Sequence, residues 1–196
     1  MAAFNDYLDL RVAVAEHVGN RNISDVMSRL TQQAEARLNQ KLRHRDQITS
    51  GTLTFASGTA SLPADFLELI SVFGLYGYAM SSGSLADTHR SGSEYWRYSV
   101  DGTGIIIYGV DGDRDIRYFA RIPTLTTSSS TTNWLLQKYP NVYLYAVAVE
   151  AAKFLRDTGL AQTTEVLLNQ ALSEMKIDDD RARWSNGTVR PQMVTP

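Results

Sequence analysis

The chain contains no cysteine. Disulfides, thiolate nucleophiles and sulfur-ligated zinc are therefore excluded, a composition that fits a cytosolic or virion protein. Histidine is scarce: His17, His44 and His89 are the 3 in the sequence. None stands at a diagnostic metal-ligand spacing from another histidine or a carboxylate. No apolar run approaches the length of a membrane span. The start MAAFNDYLDL lacks the basic residues and long apolar stretch of a signal peptide. Neither sign of charge prevails, with 19 Lys and Arg against 21 Asp and Glu. Nothing global draws the protein to nucleic acid or an anionic membrane, although a local patch could. Nor is there an internal repeat.

What is present is ordinary for a folded protein. The hydrophobic fraction is 43% and the charged fraction 20%, enough for one large or two small domains with a real core. Residues 3–18 have helical periodicity, with Phe4, Tyr7, Leu8, Ala15 and Val18 placed on one face and Arg11 on the same stripe. Arg11 there is a snorkelling side chain or a paired residue at an oligomer contact. Gly19 supplies a left-handed stop. A second helix is expected over 23–43, capped by Asn22 and striped by Ile23, Met27, Leu30, Ala34, Leu38 and Leu42. The two helices should form an antiparallel hairpin.

The period then changes. Residues 47–55 alternate and 67–75 form a stronger strand. A three-strand meander is expected over 95–100, 104–110 and 115–122, because Asp101-Gly102 and Asp111-Gly112 separate alternating apolar runs. Ser, Thr and Gly crowd 81–93 and 124–133. Helix resumes with a short turn at NWLLQKY. Pro140 fits the first position of the next helix, 140–157, which is apolar nearly all round and must be covered all round. A last helix spans 160–184, and 185–196 has no period. The fold class is α+β: a four-helix scaffold, two helices at each end of the chain, with an inserted antiparallel β-module and an extended C-terminal tail. The divisions expected are 1–46 with 127–184 as the helical domain, 47–126 as the β-domain and 185–196 as the tail.

Each reactive-looking cluster has a plainer reading. Asp111, Asp113 and Asp115 alternate as at the start of a calcium loop, but the later Gly and distal Glu are missing, and a turn explains them. Asp178, Asp179 and Asp180 precede Arg181 and Arg183 without any phosphate-binding Gly-Lys loop, and suit an exposed helix end. SSGS at 81–84 lacks the strand-to-helix setting of an anion cradle. Arg37, Lys41, Arg43, His44 and Arg45 form the one basic patch with a claim on nucleic acid, yet no recognition helix accompanies it. No catalytic residue, cofactor or metal site is expected.

Four stretches taken together resemble the head-to-tail adaptors, or connector and head-completion proteins, of tailed bacteriophages. They are AEARLNQKLRHRD at 34–46, LPADFLELISV at 62–72, YSVDGTGIIIYGVDGDRDIRYFARIPTLT at 98–126 and TNWLLQKYPNVYLYAVAVEAAKFLRD at 132–157. The loop at 76–93 and the tail after 184 lie outside the likeness. The resemblance implies a non-catalytic subunit of a homo-oligomeric ring, expected to be a dodecamer, beneath the portal protein in the virion neck. Such a ring extends the DNA channel and gives the tail or nozzle protein its platform. Genomic DNA would pass through without sequence-specific contact, and no membrane is involved.

Carried onto this sequence, helix 140–157 becomes an intersubunit helix with Trp134, Tyr139, Tyr143 and Tyr145 as contacts. The same aromatics fit an intrachain core equally well. Trp184, Val189, Arg190, Pro191, Met193 and Val194 become the portal-docking tail, and Arg37, Lys41, Arg43 and Arg45 the charge facing the channel. The alternative is a DNA-binding regulatory or packaging protein that uses the Arg37–Arg45 patch.

Overall fold

The computed structural model describes residues 4–74, 77–84, 97–128 and 130–184. The chain divides into two compact units, Met1–Leu42 with Ile122–Pro196 and Arg43–Arg121; the boundaries expected from sequence fell at 46 and 126. Each unit has its own apolar core. Helices and antiparallel sheets together make this an α+β fold.

In the helical unit, α1 spans Tyr7–His17. Asp6 caps it, its carboxylate accepting from the Leu8 and Asp9 amides. Its buried residues are Tyr7, Leu10 and Val14, followed by Val18. Leu8 is therefore not on the buried stripe, as expected from its spacing, but points to solvent. Spacing alone misplaced it because α1 is apolar on two sides, YLDLRVAVAEH, so periodicity does not select one. Gly19 and Asn20 both take positive φ after the helix.

Helix α2 spans Met27–Lys41 and starts later than expected. Asn22 does not cap it; its side chain instead holds the Ser24 hydroxyl at 2.8 Å, an Asx-type turn that competes with helix entry. Short α3 (Trp134–Lys138) is capped by Asn133, and α4 (Pro140–Phe154) has proline in its first turn. Arg156, with φ of 57°, ends the α4 segment. Asp157 belongs to the next helix, accepting from the Leu160 amide at 3.1 Å at the head of α5, Thr158–Trp184.

Helix α4 is the centre of this unit. It packs on α1, α2, α3 and α5 and buries Val142, Tyr143, Ala146, Val147, Ala148, Val149, Ala151 and Ala152. The cover that its all-round apolarity requires comes chiefly from its own chain. This is the intrachain reading of the helix: small alanines let neighbouring helices approach closely, and four of them do.

In the β-unit, a 3-10 turn at Arg45–Gln47 leads into β1 (Ile48–Phe55), β2 (Thr59–Ser61), β3 (Phe66–Val72), β4 (Ser81–Ser82), β5 (Arg97–Asp101), β6 (Gly104–Ile106) and β7 (Gly112–Ala120). One sheet has the order β1-β7-β3, the other β2-β6-β5-β4. The β5–β6 hairpin turns at Asp101-Gly102 as expected. The third strand of the expected meander does not follow. After β6 the chain turns a corner, and β7 pairs with β1 and β3 in the other sheet. Gly109 and Gly112, both at positive φ, make that corner possible, and buried Ile107 and Val110 anchor it to the core. An Asp-Gly pair cannot distinguish a hairpin from such a corner. The corner also rests on the β1–β2 turn: Gly58 donates to the Val110 carbonyl and accepts from the Ile107 amide. A Cβ on Gly58 would lie 2.7 Å from the Ile107 carbonyl oxygen, so only glycine fits.

Candidate functional site

Beside the apolar stripe of α2, Thr31 and Glu35 are buried one turn apart. Their spacing points them at α1 and at the segment that returns from β7. Tyr7 and Thr31 share a hydroxyl–hydroxyl bond of 3.1 Å. The Glu35 carboxylate accepts from the Leu125 amide at 2.9 Å and from the Tyr143 hydroxyl. Asn133 donates to the Pro123 carbonyl at 2.8 Å and caps α3. Asn39 accepts from the Ile122 amide at 2.9 Å. The network therefore ties the returning segment 122–133 to α2 and α4.

Burial pushes the Glu35 carboxyl above its ordinary value, against the hydrogen bonds from Tyr143, Leu125 and Thr124 that favour its charged form. Burial, together with the Glu35 charge, pushes the Tyr143 hydroxyl strongly upward. A buried carboxylate with a strained ionisation can signal chemistry, but here every partner is a fixed part of the helical scaffold. This network was missed in the sequence. Its trace was the pair Thr31 and Glu35, at i and i+4 beside the apolar stripe.

The expected interface residues separate. Tyr143 is 0% exposed and lies inside the core, so it is removed from the contact set. Tyr145 is half-buried with its ring 5.8 Å from the His17 ring, and His17 meets Thr164 at 3.1 Å. Burial lowers the His17 pKa. Trp134 is half-buried against the core. Tyr139 is half-buried too, donates to Asp178 at 2.5 Å and lines a groove of about 270 Å³ with Lys138, Pro140, Glu174 and Met175. Among the tail residues, Trp184 ends α5, while Val189, Arg190, Pro191, Met193 and Val194 lie outside the described residues, as does His89.

The basic patch is largely engaged. Arg37 bonds Glu165 and lies 3.4 Å from Glu150; its guanidinium holds the Glu165 carboxyl below its usual value. Lys41 is 3.9 Å from the same Glu165. Arg43, in the β-unit, bonds Glu68 and lies 6.0 Å from the Phe119 ring, and Arg45 sits half-buried in the 3-10 turn. A patch read as net positive along the sequence is thus balanced in space by carboxylates from α4, α5 and β3. Arg37 in particular is paired where the resemblance implied a channel-facing charge.

The acidic runs are structural as well. Asp113 and Asp115 accept from Thr54 at 2.7 Å and Thr52 at 2.8 Å across the β1–β7 ladder. Asp111 accepts from the Ser57 amide. Asp179 is buried and pairs with Arg183. Among the described residues, no group of acidic or histidine side chains is arranged to hold a metal ion, and no helix is long and apolar enough to cross a membrane.

One concave surface was not anticipated. Leu8, Val12 and Ala15 of α1, with Ile23 and Met27, line a mainly apolar groove of about 300 Å³ rimmed by Arg11 and Arg21. Compared with known proteins, the chain matches the sequence profile of the SU10 adaptor protein family over residues 5–192. No curated protein matches it significantly.

Proposed function

The chain belongs to the SU10 adaptor protein family, a family of bacteriophage structural adaptors, and we propose that it acts as a ring-forming subunit beneath the portal. The ring extends the DNA channel and presents a platform for the tail or nozzle protein. The reading places the protein in the virion neck, and in the host cytoplasm during assembly. The observation that carries it is the family match, which runs through both units, from α1 to the segment beyond α5. The role needs no catalytic step. A closed ring of heterologous contacts encloses an axial passage, and its work is geometric.

The tail 185–196 is the proposed portal contact. Mass photometry of the chain with and without portal tests the reading. A multi-copy complex with portal is expected, and failure to bind portal with the tail intact contradicts it. Deleting 185–196 should abolish docking while the circular dichroism spectrum stays unchanged; docking that survives removes the tail from the account.

The DNA-binding alternative relies on the Arg37–Arg45 patch, and the carboxylates paired with Arg37 and Arg43 weigh against it. Isolated subunits should bind DNA weakly, with a shallow dependence on salt.

A further inference from the structure

Strand β7 sends alternate side chains to the two faces of the β1-β7-β3 sheet. Asp113, Asp115 and Arg117 are on the exposed face, and Arg114, Ile116 and Tyr118 on the buried one. Thr54 and Thr52 hold Asp113 and Asp115 on their side. Ile116 and Tyr118 belong to the apolar core. Arg114 stands opposite Leu53 of β1 and is only 8% exposed.

An arginine at the edge of a core usually lays its stem on apolar surface and keeps its head in water. Arg114 departs from that pattern. Its Nε is enclosed and donates to nothing. Nη1 donates to the Asp113 carbonyl at 2.6 Å, a neutral acceptor from the adjacent residue. Among the described residues no carboxylate meets this guanidinium. Half-buried Arg37, by contrast, has both Glu150 and Glu165. An enclosed donor without an acceptor is rare in folded proteins, and it is most costly where the donor carries charge.

The donors left over have a definite shape. With Nη1 engaged, Nε and Nη2 remain, and they form one edge of the planar guanidinium. Two parallel N–H donors on such an edge match the two oxygens of a carboxylate. The single cation also matches its single charge. The strand leaves room beside it. Gly112, two residues before Arg114, is exposed, and a Cβ built there would meet nothing within 4 Å.

We propose that Arg114 is an oxyanion site of the β-unit that takes a carboxylate on its Nε–Nη2 edge. The carboxylate comes from a small anion in solution or from an acidic side chain of another chain, and the recognition chemistry is the same. The inference concerns Arg114 itself and does not rest on the ring reading.

The test uses the full chain, isotope-labelled for NMR and titrated with sodium acetate against sodium chloride at equal ionic strength and neutral pH. R114M removes the charge and keeps an apolar side chain of similar length. The Arg114 Nε–H resonance, identified by its loss in R114M, should shift saturably with acetate and not with chloride. The Tm of the wild type should rise in acetate, and that of R114M should not. Without acetate, R114M should melt above the wild type, because replacing a poorly compensated buried charge by an apolar group is often stabilising. R114K should respond weakly, since an ammonium lacks the planar fork. It also identifies the resonance should R114M fail to fold. An Nε–H signal that acetate leaves in place, or an equal Tm response in wild type and R114M, would overturn the site. Mass photometry with portal then separates the two sources. A carboxylate from another chain predicts that R114M lowers the multi-copy complex by about tenfold, the loss expected for a hydrogen bond to a charged group. A carboxylate from solution predicts an unchanged complex alongside the acetate response.

Discussion

The two units of this chain solve the problem of buried polar groups in different ways. The helical unit carries Glu35, Thr31, Asn133 and the Tyr143 hydroxyl inside its core and satisfies them with one another and with the returning segment. The β-unit exposes the pairs Thr52–Asp115 and Thr54–Asp113 across its sheet and holds its buried Gln47 in the 3-10 turn, where the side chain accepts from the His44 amide and donates to the Ala120 carbonyl. A buried network that is fully paired selects one arrangement of helices, because any slip leaves a polar group without a partner. A sheet gets the same selectivity from register, since a slip by one residue inverts its faces. An assembly subunit needs both units fixed, and each uses the device natural to its backbone.

The largest expected effect comes from removing the centre of the helical network. Y143A should cost the helical unit roughly 3–5 kcal/mol, the range for a large aromatic removed from a core. Hydrogen exchange should rise in α2 and α4 and stay unchanged in β1 and β7. A simultaneous loss of protection in both units would break the comparison.

I116A is the counterpart, since Ile116 is fully buried in the β-unit core. It should cost roughly 2–5 kcal/mol, with the loss confined to the strands. Y143F keeps the ring but takes the hydroxyl donor from Glu35, and should cost about 1–3 kcal/mol by chemical denaturation.

A pH titration separates the electrostatic part. The Glu35 pKa is raised in the folded protein, so folding favours its protonated form. Its contribution is most favourable below the ordinary carboxyl value of 4.5 and is lost as pH rises through the higher folded value. Glu165 has the opposite sign: its folded pKa is lowered by Arg37, and its contribution is lost as pH falls. Stability of the wild type minus that of E35Q should therefore decrease from pH 4 to pH 7. A flat difference would show that Glu35 ionises without penalty. The smallest effect belongs to the sheet surface, where T54V should cost about 0.2–1 kcal/mol and leave the helical unit untouched.

Much of the fold was legible because periodicity carries it. The stripe Met27, Leu30, Ala34 and Leu38, the alternation of 48–55, the proline at the start of α4 and the Asp101-Gly102 hairpin all express local rules. What was not legible depended on tertiary contacts. Helix α1 has apolar residues on two sides, and only packing chose Leu10 and Val14 over Leu8 and Val12. The destination of β7 depended on a corner built on Gly58, which no local signal distinguishes from a hairpin. The arginines near 37–45 looked like a collar of charge until Glu150, Glu165 and Glu68 arrived from distant parts of the chain. The apolar helix that needs a partner was sought at 140–157. That helix packs on four helices of its own unit, and exposed apolar residues lie on α1 and α5 as well as at its own Phe154.

The ring itself is the central claim, and a rotationally averaged cryo-electron microscopy image of the neck of the particle tests it most directly. The account predicts a closed ring of copies of this chain immediately beneath the portal and coaxial with the channel. A neck with no density for the chain, or with a single copy bound off the axis, would contradict it.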